Sequence, residues 1–302
     1  MAADLVPLIA DLAAETAVLD ALLADLSPAQ WRLATPAVGW TIADQVSHLA
    51  FFDQTALLAA ADPDRFRREA AELVAGGLDL PDRVAALHHN RAGADLLAWF
   101  RAARRALLAG FAGIDPGTRL PWYGPDMGPA SSLTARLMET WAHGQDIADT
   151  LGVQRVPTAR LEHIAFLGVR TMNFAFILHG QAAPVAPIRV ELTAPDGGTW
   201  AWGPADAEDR VSGDALDFCL LVTQRRHRDD LALRAVGDTA TEWIRIAQAF
   251  AGAPGPGRAK RREMSPGRAK RREMSPGRAK RREMSAEREP LLRDASWPVD
   301  PC

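Results

Sequence analysis

Two segments of this chain carry side chains that could share one metal ion. In ETWAHGQDIAD, Glu139 and His143 stand four residues apart. On an α-helix that spacing is roughly 40° of rotation and one turn of rise, so both side chains leave from one face. A carboxylate and an imidazole so placed can bind the same ion. In GWTIADQVSHLAFFD, His48 falls in mid-helix, with Asp44 one turn before it and Phe52 one turn after it. A titratable group in that apolar stripe needs a partner, and a metal held between facing helices supplies one. Each piece alone also has a plainer reading: a solvated i,i+4 pair, or a hydrogen-bonded core histidine. Trp40, the capped helix start that follows it and the Trp-Ala-His-Gly-Gln-Asp context turn the choice toward a metal site formed by His48, Glu139 and His143.

The elements that must position these residues are helices. Residues 4–25 place Leu5, Leu8, Ile9, Leu12, Val18, Leu19, Leu22 and Leu23 close to a helical period. Pro7 fits only in the first turn. Ser27-Pro28 has the form of an N-cap with proline at the first helical position. The next helix is expected from about Thr41, with Asp44 as a capping-box acid, to about Ala61. Further helical patterns cover roughly 64–75, 81–110, 132–151 and 158–179, and the Gly/Pro-rich stretch 113–131 reads as a long loop. After Ala183 the period changes. PIRVELTAPDGGTWAWGP predicts a hairpin turning at Asp196-Gly197-Gly198. A short strand at Arg210–Val211, a helix over Asp214–Thr223, a strand over Leu231–Val236 and a helix over Thr239–Phe250 follow. The expected organisation is a helical bundle domain over 1–183, a smaller α+β domain over 184–252 and a disordered basic tail over 253–302.

GWTIADQVSHL and ETWAHGQDIAD resemble the paired motifs of the DinB-like metal-binding superfamily, and more closely those of its mycothiol-dependent maleylpyruvate isomerase branch. His48, Glu139 and His143 fall on that family's ligand positions, and the likeness covers roughly residues 4–252. The resemblance implies a four-helix bundle with a C-terminal α+β domain, a zinc-type ion with water on its open positions, and mycothiol as the thiol cosubstrate. Two imidazoles and a carboxylate also suit a catalytic zinc site on general grounds, although Fe²⁺ or Ni²⁺ would fit nearly as well. A thiol beside such an ion loses its proton and becomes a nucleophile. Addition to an activated double bond, rotation and departure would give an isomerase. Transfer of the thiol onto an electrophile would give a transferase. The expected partners are a small-molecule electrophile and a thiol. The alternatives are a non-catalytic metal-binding protein of the same fold, and an interaction module whose basic tail recruits an anionic partner.

Other residues carry weaker signals. Asp146 shares the Glu139/His143 face and could orient a ligand histidine, or could be a solvent-facing acid. Arg225 and Arg226, with His227, end a helix; they suit its dipole or could grip a substrate carboxylate. His88 and His89 point apart and read as surface residues. Trp122 and Tyr123 could roof a pocket or anchor their loop. Cys219, in DFCLLV, reads as a buried reduced thiol, and Cys302 has no near partner.

Hydrophobic residues make up 48% and charged residues 24% of the 302, which is ordinary globular composition. No apolar run has the roughly 18–20 residues of a membrane span. The N-terminus, whose first charges are Asp4 and Asp11, does not resemble a secretory signal, so a cytoplasmic location is expected. The net charge of −3 hides three tandem copies of PGRAKRREMS at 256–285. Twelve basic residues against three acids give that block +9 and leave −12 on the rest. An acidic body of this kind argues against a nucleic-acid-binding face. The repeats are too short and polar for a solenoid and are expected to make no tertiary contacts.

Overall fold

The protein is described by a computed structural model that covers residues 4–75, 77, 79–252, 254–255 and 257–260. Helix α1 (Leu5–Leu23) is capped by Asp4, whose carboxylate accepts from the Val6 amide. Helix α2 (Ile42–Ala61) opens on a capping box: Thr41 and Asp44 each accept from the other's backbone N–H. Two short helices, α3 (Pro63–Ala75) and α4 (Leu80–His88), lead to α5 (Gly93–Ala112) and then to α6 (Pro129–Leu151). Helix α2 packs on α5, and α1 packs on α6; α1 also touches α5 and α2 touches α6. The four long helices thus surround one interior.

That interior is built from apolar residues at helical spacing. Leu19, Leu23, Ile42, Val46, Leu49, Leu96, Phe100 and Ile147 fill one end. Between this cluster and the next lies a buried polar network. Arg104 pairs with Asp53 at 2.7 Å and donates to Thr140 at 2.9 Å and to Thr16. Such a pair costs desolvation and survives by satisfying its donors. It ties α1, α2, α5 and α6 together directly behind Glu139.

Two expected helices are each divided in two. The pattern over 81–110 breaks at residues 89–92, where α5 begins afresh at Gly93. A Cβ on Gly93 would lie 2.3 Å from the Trp31 indole, so only glycine lets the helix start there. The pattern over 158–179 becomes α7 (Leu161–Arg170) and α8 (Met172–Leu178), bent by 52°. At the break, Thr171 bonds back to the carbonyls of Leu167 and Gly168. Ser27-Pro28 starts no α-helix: only a 3-10 turn, Gln30–Arg32, follows, with Ala29 at its N-cap and the Gln30 N–H donating to Ser27 Oγ. Among the described residues no single helix is long and apolar enough to cross a membrane.

The C-terminal part is α+β. Strands β1 (Ile188–Thr193), β2 (Thr199–Trp202), β3 (Asp209–Asp214) and β4 (Arg234–Val236) form a sheet in the order β2-β1-β3-β4. The expected hairpin is the antiparallel β1–β2 pair; β3 runs parallel to β1 and antiparallel to β4. Ile188, Val190 and Leu192 alternate inward. Helices α9 (Ala215–Val222) and α10 (Asp238–Ile246) cover the sheet. One apolar core runs without a break from Leu12, Leu137 and Ile164 through Phe218 to Val190 and Trp243.

Most of the basic tail lies outside the described residues. The part within them corrects the expectation of no tertiary contact: Arg258 pairs with Asp146, and Lys260 with Asp229, each at 2.5 Å. The physical reason is that Asp146 is only 1% exposed, and a buried carboxylate draws a guanidinium wherever the chain supplies one.

Candidate metal centre

His48 on α2 and Glu139 and His143 on α6 converge, with one ligand atom from each within 4.8 Å of the others. His143 Nε2 lies 3.0 Å from Glu139 Oε2. His48 Nε2 lies 3.4 Å from the same oxygen, without hydrogen-bond alignment. Both ring nitrogens of His48 are buried and lack a hydrogen-bond partner among the described residues. An orphaned buried imidazole is costly, and a cation shared with Glu139 and His143 would relieve it.

The tautomer of His143 follows from a chain of donors. The Thr35 hydroxyl donates to the Trp40 carbonyl at 2.9 Å. Thr35 Oγ1 therefore accepts from Gln45 Nε2, at 2.8 Å. That fixes the Gln45 amide with Oε1 toward His143 Nδ1, which must carry the proton. In the neutral ring, Nε2 then presents a lone pair toward the Glu139 carboxylate. Two acceptors facing each other repel, unless the ring is protonated or a cation lies between them.

In the metal-free site the electrostatics favour a neutral His48 and an ionised Glu139. Burial, reinforced by the charge of His143, pushes His48 down from its ordinary 6.5 to about 4. Burial works to raise the Glu139 carboxyl, but a protonated His143 ring, donating from Nε2, and the contact with His48 outweigh it and hold the group well below the usual carboxylate range. Metal ligation requires a neutral imidazole and an ionised carboxylate.

Aromatic rings wall the centre. Trp40 stacks on His143 at 5.9 Å and leans on His48 at 5.4 Å. Phe52 lies 4.6 Å from His48. Beyond it, Trp122 stacks on Phe66, and Tyr123 meets the edges of both Phe52 and Phe66. The long loop is thus anchored and also roofs the Phe52 side of the site.

Among the described residues Asp146 makes no hydrogen bond to His143 or His48. Both His143 nitrogens are engaged elsewhere, and Asp146 is held by Arg225 at 3.0 Å and by Arg258. The residue that holds His143 Nδ1 is Gln45, which sequence reasoning missed; only its place three residues before His48 on α2 could have hinted at it. Arg225 and Arg226 follow Gln224, whose left-handed backbone (φ 57°) ends α9 and turns the chain toward α6. Arg225 binds Asp146 and the carbonyls of Ala142 and Thr223. Arg226 grips Asp149 through two bonds of 2.6 and 2.7 Å, at the rim of a cleft that also includes Gln145, Arg155 and Leu220. Both arginines join the two parts of the chain. His88 sits against Trp99, and His89 contacts Asp44 at 3.3 Å, away from the three ligand candidates. Cys219 is buried against the Leu161 carbonyl, and burial pushes its thiol up; Cys302 lies outside the described residues.

The pairing of this helical fold with a two-helix ligand cluster defines a class, and comparison with known proteins agrees with it. The chain belongs to the family of mycothiol-dependent maleylpyruvate isomerase-like proteins. Residues 12–148, which include all three ligand candidates, match the model described as the mycothiol maleylpyruvate isomerase N-terminal domain. Residues 184–236 match a model described as wyosine base formation. Among relatives, the uncharacterized protein Rv0036c of Mycobacterium tuberculosis strain H37Rv is 48% identical over 256 residues, which is 85% of this chain and all of that protein. An uncharacterized protein of strain CDC 1551 matches equally. Among solved structures, the fold is similar to a histidine-to-alanine mutant of the mycothiol-dependent maleylpyruvate isomerase (TM-score 0.53, 14% identity, 77% of this chain and 93% of that one). It is also similar to that isomerase without the mutation (TM-score 0.51, 14% identity, 74% and 90%).

Proposed function

We propose that this protein is a metal-dependent isomerase or transferase that uses a low-molecular-weight thiol, mycothiol, on a small electrophile. The observation that carries the reading is the meeting of His48, Glu139 and His143, with both His48 nitrogens buried and unpartnered. The donor set suits zinc, and a zinc-type ion would supply the charge that keeps a thiol deprotonated near neutral pH. The chain's own residues do the rest. Gln45 keeps the His143 proton on Nδ1 and Nε2 free. Trp40, Phe52, Trp122 and Tyr123 form an aromatic wall that limits water beside the ligand candidates. Cys219 does not supply the thiol, because it is buried in the core around α9 with its ionisation suppressed.

The test is turnover of a panel of activated alkenes and other electrophiles by zinc-loaded protein, with and without mycothiol. Thiol-dependent isomerisation or conjugation, lost with His143→Ala, supports the reading. Metal bound stoichiometrically with no turnover across the panel would favour a non-catalytic metal protein. Thiol-independent turnover would refute the proposed nucleophile.

A further inference from the structure

Among the described residues Trp40 is the one ring that meets both imidazoles of the cluster: it stacks on His143 with 16° between the planes and leans on His48. It is carried by a turn rather than a helix. The base of that turn is fixed. Thr35 donates to the Trp40 carbonyl from its N–H at 2.7 Å as well as from its hydroxyl, and Ala34 bridges to Thr41. Its tip is free: Val38 is 97% exposed, and Gly39 holds a left-handed backbone (φ 85°) that packs against nothing. The indole is fastened by one hydrogen bond, from Nε1 to Asp82 Oδ1 at 2.7 Å. Asp82 is exposed in the first turn of α4, and among the described residues this is its only hydrogen bond or ion pair. The other walls of the cluster are held more firmly. Phe52 projects from α2 and is buried. Trp122 stacks on Phe66, and Tyr123 lies against Phe66 and bonds to Thr55.

We infer that Trp40 is a lid over the cluster and Asp82 its latch: the indole turns outward when its N–H leaves Asp82, and a metal ion enters and leaves through that opening. With the lid in place the His48 and His143 side chains are each 9% exposed, which leaves a hydrated ion no broad approach to either ring. The lid moves as a side chain. While the Trp40 carbonyl stays bonded to Thr35, the chain from Thr35 through Gln45 to His143 survives the opening. The His143 tautomer is therefore kept, and the lid sets the speed of ion exchange rather than the preference of the ligands. Losing the latch should raise the open population roughly 10-fold, the effect of one hydrogen bond to a charged acceptor at an exposed rim. The inference rests on the proposed metal site for the identity of what passes, but not for the lid itself.

The test uses two measurements on the full chain. The first is brief treatment of the EDTA-treated protein with diethyl pyrocarbonate, with modification of His48 and His143 read by peptide mass spectrometry against His227. The second is the rate of zinc capture and of zinc loss against a chromophoric chelator. Asp82→Ala should raise modification of both imidazoles roughly 10-fold and should speed zinc capture and loss by the same factor, leaving Kd unchanged. Asp82→Asn, which still accepts from the indole, should stay close to wild type. Trp40→Phe keeps a ring and loses the N–H, so it should match Asp82→Ala, and the double variant should go no further than either single one. Wild-type protection of the imidazoles in Asp82→Ala overturns the inference. So does Asp82→Asn behaving as Asp82→Ala, additive effects in the double variant, or zinc loss that rises without faster capture, which would mark Asp82 as a residue that only steadies the ligands. Asp82-dependent protection in a chain that binds no zinc would sink the proposed function and leave the lid standing. Zinc held by every variant, with protection and rates unchanged, would sink the lid and leave the metal site standing.

Discussion

Gln45 accepts the Nδ1 proton of His143, and by doing so aims the ring's Nε2 lone pair at Glu139. The amide is itself oriented by Thr35, which is oriented by the Trp40 carbonyl. Through Gln45 the loop before α2 thereby sets which nitrogen of His143, 98 residues beyond Gln45 on α6, carries the proton. Removing the acceptor should leave His143 free to rotate and change tautomer. Gln45→Leu is expected to weaken zinc binding about 10- to 100-fold, while Gln45→Glu, which still accepts, should retain it. Competition against a chromophoric chelator measures both. Equal affinities for Gln45→Leu and wild type would contradict the orienting role.

Acid should destabilise the EDTA-treated protein through His48. Its folded pKa of about 4 lies below the ordinary 6.5. Between those values the unfolded chain binds a proton that the folded chain refuses, so stability falls as pH drops through that window. The contribution is up to about 3 kcal/mol. His48→Gln should flatten this part of the curve. Urea melts at several pH values between 7 and 4 would show it, and an unchanged slope in the variant would place the acid sensitivity elsewhere.

The basic tail is expected to contribute through one residue. Asp146 is shared by Arg225 and Arg258. Arg258→Ala and truncation after Gly252 should both cost about 1–2 kcal/mol, the scale of one charge-assisted hydrogen bond. Asp146→Ala should cost more, about 3 kcal/mol, because it strands Arg225 in a buried setting. Thermal melts of the three variants give the order. Truncation without any loss would show that the Arg258 contact is not populated in solution.

The helices of the site were legible because their signals are local. Thr41 and Asp44 form the capping box that their spacing suggests, and Glu139 and His143 share a face because of helix geometry alone. The resemblance supplied what spacing could not, namely that His48 faces them across the interior. Illegible features depended on distant partners. Gln45 looks like any polar residue until Thr35 and His143 are seen on either side of it. Asp146 lies on the ligand face by periodicity, but two arginines from the C-terminal part claim it. The α4–α5 break was hidden because it turns on Gly93 meeting Trp31, a contact 62 positions away in sequence.

The most direct test of the metal centre is the zinc content of the folded chain after EDTA stripping, reconstitution and desalting, for wild type and for His48→Ala, Glu139→Gln and His143→Ala. Wild type should retain one zinc per chain. Each single-ligand variant should keep its circular dichroism spectrum and lose most of the metal, since two remaining protein ligands are too few to hold it. A wild-type chain that retains no zinc, iron or nickel, or variants that retain it as fully as wild type, would contradict a metal site at His48, Glu139 and His143.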